Sequence, residues 1–225
     1  MEFLSCKNAA GKELSKFGWT GNGKKIRNRV DGEFDVQCPL VGSTPMYFGG
    51  TGTLHVATTM TTNANASLIL GGGIRFSSDA FRTATSEWPD SIINLAVEGG
   101  DATLVAERDW TYGPEEGLVV GTTADERALT VAYGSTLHIA AGAHKVSFAD
   151  PIYGLGALAF EPGAQIGLAG ELFRSAKTEW TTVATVHEVS GEPAVAGCKV
   201  QVQDLGNGLV ALKAKLVAGL KVILR

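Results

Sequence analysis

The sequence lacks several things that would have narrowed its class at once. No stretch approaches the ~18 consecutive apolar residues of a membrane-crossing helix. Proline is scarce, with 7 residues, and methionine scarcer, with 3. Charged residues make up 19% of the chain, below the ~25% usual in globular proteins. The net charge of −4 is small and no basic face is readable, which argues against nucleic acid as a partner. There are only three cysteines, Cys6, Cys38 and Cys198, with no CxxC pair and no metal-ligand spacing. Spacing alone leaves two readings open, a Cys6–Cys38 disulfide or three free thiols. The opening residues MEFLSCKNAAGKELSKF hold no apolar run of the signal-peptide kind.

The motifs of common enzymes are missing too. No P-loop and no Gly-x-Ser-x-Gly occurs. Gly154-Leu-Gly-Ala-Leu-Ala159 mimics a dinucleotide fingerprint, but it runs into a strand-like segment and then Pro162, where the fingerprint needs a helix. His187-Glu188 starts a zinc-protease pattern that fails at Gly191, where the second histidine belongs. Asp79, Asp90, Asp101, Asp109, Asp125 and Asp150 are scattered rather than clustered for calcium or acid–base work. No cofactor, metal or catalytic constellation is expected. The four histidines read as surface residues, with His55 and His138 turned outward from their strands.

What is present is glycine and alternation. Glycine accounts for 29 of 225 residues, well above the usual ~7%. From Gly49 onward, short segments alternate apolar and polar residues with period two, the mark of half-buried strands. They include Thr53–Val56, Ser67–Leu70, Gly73–Phe76, Ile93–Val97, Thr103–Ala106, Leu118–Val120, Leu129–Val131, Leu137–Ile139, Val146–Phe148, Leu158–Phe160, Ile166–Leu168, Lys199–Val202 and Lys221–Leu224. Gly, Asn and Asp corners separate them. Strands this short, with corners this frequent, suit a solenoid better than a sandwich. Residues 1–48 carry Lys7, Lys12, Lys16, Lys24, Lys25, Arg27 and Arg29 with little alternation, and are expected to form an N-terminal cap or lead-in.

Two internal repeats support this division. Ala128–Gly142 aligns with Ala157–Gly170 at an offset of 29 residues (157 − 128), which implies three strands per coil. Phe81-Arg-Thr-Ala-Thr-Ser-Glu-Trp88 matches Phe173-Arg-Ser-Ala-Lys-Thr-Glu-Trp180 at an offset of 92 (173 − 81). The expected fold is all-β, a right-handed parallel β-helix with terminal caps. Residues 49–225 form the solenoid in two related halves with a C-terminal capping segment.

Phe48-Gly-Gly-Thr-Gly-Thr-Leu-His-Val56 resembles the strand-repeat segments of autotransporter passenger domains, and Glu179–Val186 with Gly206–Leu212 resembles their closing segments. The resemblance spans roughly residues 48 to 225. It implies a parallel β-helix exported to the bacterial cell surface, here as part of a longer chain. The implied role is a non-catalytic structural or adhesive segment, with glycans or host and cell-surface components as partners and no membrane insertion by this chain. The alternative is a carbohydrate-binding or polysaccharide-degrading β-helix. The recurring Phe-Arg-x-Ala-x-x-Glu-Trp element supplies the candidate ligand residues. Trp88 and Trp180 offer stacking faces, and Arg82, Glu87, Arg174 and Glu179 offer hydrogen bonds. Against that stands a packing role for both tryptophans at a corner.

Overall fold

The computed structural model describes residues 2–3, 17–19, 26–36, 40–42, 45–57, 60–62, 66–79, 81–86 and 93–217. In chain order the first strands are β1 (Glu2–Phe3), β2 (Phe17–Trp19), β3 (Ile26–Arg29), β4 (Glu33–Val36), β5 (Leu40–Gly42), β6 (Met46–Gly49), β7 (Thr53–Val56) and β8 (Met60–Thr62). Next come β9 (Ala66–Leu70), β10 (Ile74–Ser78), β11 (Ile93–Val97), β12 (Ala102–Leu104), β13 (Trp110–Tyr112), β14 (Leu129–Val131), β15 (Thr136–Ile139) and β16 (Val146–Phe148). The last are β17 (Ile152–Gly154), β18 (Ala157–Phe160), β19 (Gly167–Leu168), helix α1 (Gly170–Ala176), β20 (Thr181–Val186), β21 (Glu188–Ser190), β22 (Cys198–Asp204) and β23 (Val210–Leu216).

These strands build one eight-stranded sheet, one nine-stranded sheet and two three-stranded sheets. The chain visits them in rotation. It lays a strand in the nine-stranded sheet, then one in the eight-stranded sheet, and often one in a three-stranded sheet before returning. Each return places the new strand beside its predecessor in the same direction. Among the described strands every pairing is parallel, except those that join β23 to β20 and to β22.

Inward positions repeat from strand to strand. Phe34, Leu54, Phe76, Leu104, Ile139 and Phe160 form one register row across the eight-stranded sheet. Phe48, Leu70, Val97 and Val131 form another across the nine-stranded sheet. Both rows belong to one continuous core. Alternation explains them, because Leu54 and Val56 are buried while Thr53 and His55 point away. An aromatic column fills the third side. Phe81 stacks on Tyr112 at 5.6 Å between centroids, and Tyr112 meets Phe148 at 5.9 Å. Phe76 meets both Phe81 and Trp110 edge-on.

The corners need glycine where neighbouring backbones touch. A Cβ on Gly154 would sit 2.0 Å from the Val131 carbonyl oxygen, and one on Gly50 would sit 2.2 Å from that of Val30. Both residues also have positive φ, which L side chains rarely adopt.

Four expectations need revision. Leu118–Val120 is an irregular loop rather than a strand, with Val119 91% exposed between two half-buried residues. Part of the region expected as a cap or lead-in, residues 26–36 and 45–48, supplies strands to the same sheets, because Phe34 and Val36 alternate with Glu33 and Asp35, and Met46 and Phe48 turn inward on either side of Tyr47. The 29-residue spacing is not the structural one. Leu158 lies beside Leu137, 21 residues on (158 − 137). Actual spacings run from 20 residues, Glu33 to Thr53, up to 36, Trp110 to Val146, since loops of different length leave at the corners. Positions matched at the 92-residue offset occupy different places. Phe81 is buried in the aromatic column, whereas Phe173 lies exposed on α1. Lys221–Leu224 lies outside the described residues.

The column makes a stability prediction. Phe148→Ala removes a fully buried ring from between Tyr112 and its neighbours. It should cost about 3–5 kcal/mol, read as a lowered denaturant midpoint. Val119→Ala should stay within about 0.5 kcal/mol of the parent.

Candidate functional site

Among the described residues, the sequence candidates are not brought together by any hydrogen bond or ion pair. Arg82 is partly buried, and its Nη1 donates to the carbonyl oxygens of Phe81 at 3.2 Å and Thr111 at 2.9 Å. It stitches one strand level to the next. Arg174 forms a two-pronged ion pair with Glu171, one turn away on α1. Glu179 is exposed, and its own N–H caps the helix end on Ser175 O. Trp180 is 39% exposed, between the packed ring and the free stacking face that the sequence allows. Glu87 and Trp88 lie outside the described residues. Strands β13 and β16 stand between Phe81 and β19, which leads into α1. The two motif copies therefore do not share one described site.

Three other clusters are better organised. The first lies on the outer face of the eight-stranded sheet. His55 Nδ1 and Ser77 Oγ are 2.6 Å apart, as cross-strand neighbours on β7 and β10. His55 Nε2 lies 3.7 Å from Asp79 Oδ2, and Arg108 Nε lies 2.8 Å from Asp79 Oδ1. The residue types are those of a nucleophilic triad, but the geometry is not. The histidine–carboxylate distance is beyond hydrogen bonding, and Ser77 is only 1% exposed, so a substrate carbonyl has no approach to its Oγ. The cluster ties adjacent strands together. His55 does face outward, as expected, but under a cover of polar side chains. His138 beside Asp101 and His144 beside Asp109 repeat the histidine–aspartate proximity at 3.7 and 3.6 Å on more exposed ground.

The second cluster is buried. Arg127 donates from Nε and Nη2 to Asp150, at 2.9–3.2 Å, and from Nη1 to the Thr122 carbonyl. Thr83 Oγ1 donates to Asp150 at 3.0 Å, and Tyr112 Oη donates to Arg127 O at 2.8 Å. Arg127 and Asp150 are both buried. Burial pushes the Asp150 carboxyl above its ordinary range, against the opposing pull of Arg127 and Thr83. Burial likewise pushes the Tyr112 hydroxyl upward. This network anchors the long Gly113–Arg127 loop to the core and is closed to solvent.

The third is a shallow cleft of about 420 Å³ at the corner between β6 and β7. Asn28, Arg29, Tyr47, Thr51 and the glycine backbone at 49, 50 and 72 line it. Among the described residues no group of three or more His, Cys, Asp or Glu is placed to hold a metal ion.

Sequence reasoning missed all three clusters. Each joins residues 20 or more positions apart, and the register that unites them is not written in any single motif. The Tyr47-x-Gly49-Gly50-Thr51 corner was the one local signal, an outward aromatic followed directly by bare backbone.

The buried pair generates a prediction. Asp150→Ala leaves Arg127 charged and unpaired and should cost about 3–5 kcal/mol at neutral pH. A raised carboxyl pKa favours the protonated form on folding. Its stabilising share is present below the ordinary 3.8 and is lost as pH rises through the folded value. The stability gap between the native protein and Asp150→Ala, read from denaturant midpoints across that window, should therefore narrow with rising pH. No family model, no curated protein and no solved structure matches the chain.

Proposed function

We propose that the chain is a right-handed parallel β-helix serving as a non-catalytic structural or adhesive segment of an exported, cell-surface protein. The observation that carries this reading is the rotation of the chain through the same sheets, with parallel pairing at each return. Parallel strands joined by crossovers are right-handed in nearly all proteins, and a rotation through three sheets is one coil of a helix. Such a coil buries each apolar face on the next and presents long, regular outer faces. The polar clusters support a structural role, since their hydrogen bonds run between strand levels rather than toward an open cavity. The resemblance of Phe48–Val56 to autotransporter passenger segments supports export and a surface location. Tyr133 and Tyr153, 83% and 52% exposed, give such a surface aromatic contact points for glycans or other cell-surface partners.

The carbohydrate-active alternative keeps one specific support, the aromatic cleft at Tyr47. A screen of polysaccharide lyase and hydrolase substrates separates the readings. The non-catalytic reading expects no turnover, and no labelling of Ser77 by a fluorophosphonate probe. Turnover of any polysaccharide, or covalent capture of Ser77, contradicts it. Surface location is checked by expressing the full gene product and treating intact cells with protease. Loss of an epitope inside residues 49–217 is the expected result, and complete protection is the contrary one.

A further inference from the structure

Strand β22 closes the nine-stranded sheet, and among the described residues no strand lies beyond it. The other edges of the two large sheets are short. β1 and β21 have two and three residues, and β3 has four. β22 has seven, in unbroken register with β23 and without proline. A long free edge is a template for another strand, and charge, proline or a bulge is the usual protection. The centre of β22, Val200-Gln-Val-Gln203, carries none of these. Two hydrogen bonds set the phase of its backbone. Leu205 N donates to Leu209 O, and Val217 N donates to Gly197 O. Odd-numbered residues therefore turn their N–H and C=O groups to β23, and Val200 and Val202 turn theirs to the free edge.

The side chains show the same unfinished edge. Leu129, Ile152, Ala184 and Leu212 follow one another across the sheet as register partners, all fully buried. Val202 is next in that row and is 46% exposed. Val200, on the same face, is only partly buried against the core. One more strand would cover both. The symmetry of the segment says which strand. When a second β22 runs antiparallel to the first about a two-fold axis at Gln201, all seven residues pair without overhang. Val200 meets the second copy's Val202, Lys199 meets its Gln203, and Cys198 meets its Asp204. The outward backbone groups of Val200 and Val202 then face each other, as a hydrogen-bonded pair requires. Each end of the strip holds one lysine and one aspartate. Lys199 stands about 14 Å from the second copy's Lys199, and Lys213 about 14 Å from its Lys213, beyond the ~8 Å screening length at physiological salt.

We propose that β22 is a homodimerisation edge, joining two copies of this chain into one continuous sheet with Gln201 on the two-fold axis. A strand pair alone buries less than the roughly 1,200–2,000 Å² of a stable complex, so the dimer is reversible and concentration-dependent. The inference goes beyond the non-catalytic reading and does not rest on it.

The test uses the full chain. Sedimentation velocity should show a monomer–dimer equilibrium with a dissociation constant of about 1 mM or tighter. Val202→Pro removes an outward N–H and no bond to β23, so it should fold and weaken dimerisation about tenfold or more. Cross-linking reads the register. With Cys6, Cys38 and Cys198 replaced by alanine, Gln201→Cys should oxidise to a covalent dimer. Directly opposed residues that exchange no hydrogen bonds have Cα atoms about 4.5 Å apart, within disulfide reach. Gln203→Cys should cross-link about tenfold more slowly or not at all, since its counterpart lies about 14 Å away. Circular dichroism checks that each variant folds. Should Val202→Pro fail to fold, the two cysteine variants carry the test. A parent that stays monomeric up to about 1 mM overturns the proposal. So do dimers that survive Val202→Pro, or that cross-link through Gln203→Cys as fast as through Gln201→Cys. A monomer that dimerises only when residues 218–225 are removed assigns the edge to the chain's own tail, and also overturns it. Failure here leaves the non-catalytic reading standing, since that reading falls only to turnover or to labelling of Ser77.

Discussion

Parallel pairing between strands laid down one circuit apart is the constraint on which the rest of the structure depends. A strand of three to five residues cannot satisfy its backbone groups alone, and here its partners come from the previous and next circuits rather than from a hairpin. Val30 N donates to Gly49 O, Ala140 N to Leu104 O and Ala132 N to Val97 O, so the ladder continues even where the strands give way to corners. Parallel register also forces like positions to stack. An inward residue finds an inward residue above and below it, and for this reason apolar rows run the length of both large sheets. The same rule places outward residues in rows. His55 meets Ser77 because both occupy outward positions on adjacent strands.

The rule also accounts for the special residues. Glycine gathers at the corners where a Cβ would strike the neighbouring circuit's carbonyl, as at Gly50 and Gly154. Buried polar groups survive where several donors converge on them, as Arg127, Thr83 and Asp150 show. The parallel regime stops at β20, whose next neighbour β23 runs antiparallel and pairs with β22 in turn. Beyond β20 the nine-stranded sheet is extended by a hairpin, with a tight loop in which Asp204 and Asn207 side chains accept backbone N–H groups.

Much of the strand content was legible, because half-buried strands write themselves as alternation. Thr53–Val56, Leu129–Val131, Val146–Phe148 and Leu158–Phe160 are all strands. Alternation is silent about partners, however. Leu158 could be aligned with Leu129 by similarity, yet it pairs with Leu137, since the lengths of the loops decide the register. Leu118–Val120 reads as a strand because an apolar run in a long loop carries the same local signal, whether or not a neighbouring strand pairs with it. Strand β4 is not legible because its outward positions, Glu33 and Asp35, are charged and hide the inward Phe34 and Val36. Little of the candidate sites was legible. The Phe-Arg-x-Ala-x-x-Glu-Trp element stood out by repetition, but similar residues in the two copies meet different surroundings, a core for Phe81 and a helix surface for Phe173. The Tyr47 cleft and the Arg127–Asp150 pair depend on register and were invisible without it.

The register itself is therefore the claim most open to direct test. Outward positions Thr53, Arg75, Thr103, His138, Ala159 and Ser190 form one row across the eight-stranded sheet. With Cys6, Cys38 and Cys198 replaced by alanine, nitroxide labels attached to cysteines at Thr53 and Ser190 should lie about 24 Å apart, five strand spacings of ~4.8 Å. Labels at Arg75 and Ser190 should lie about 19 Å apart. Distances from pulsed electron paramagnetic resonance that shorten in such steps, in strict order along the row, are the predicted result. Distances that fail to follow that order, or that place Thr53 nearer Ser190 than Arg75 is, would contradict the stacking on which every other conclusion rests.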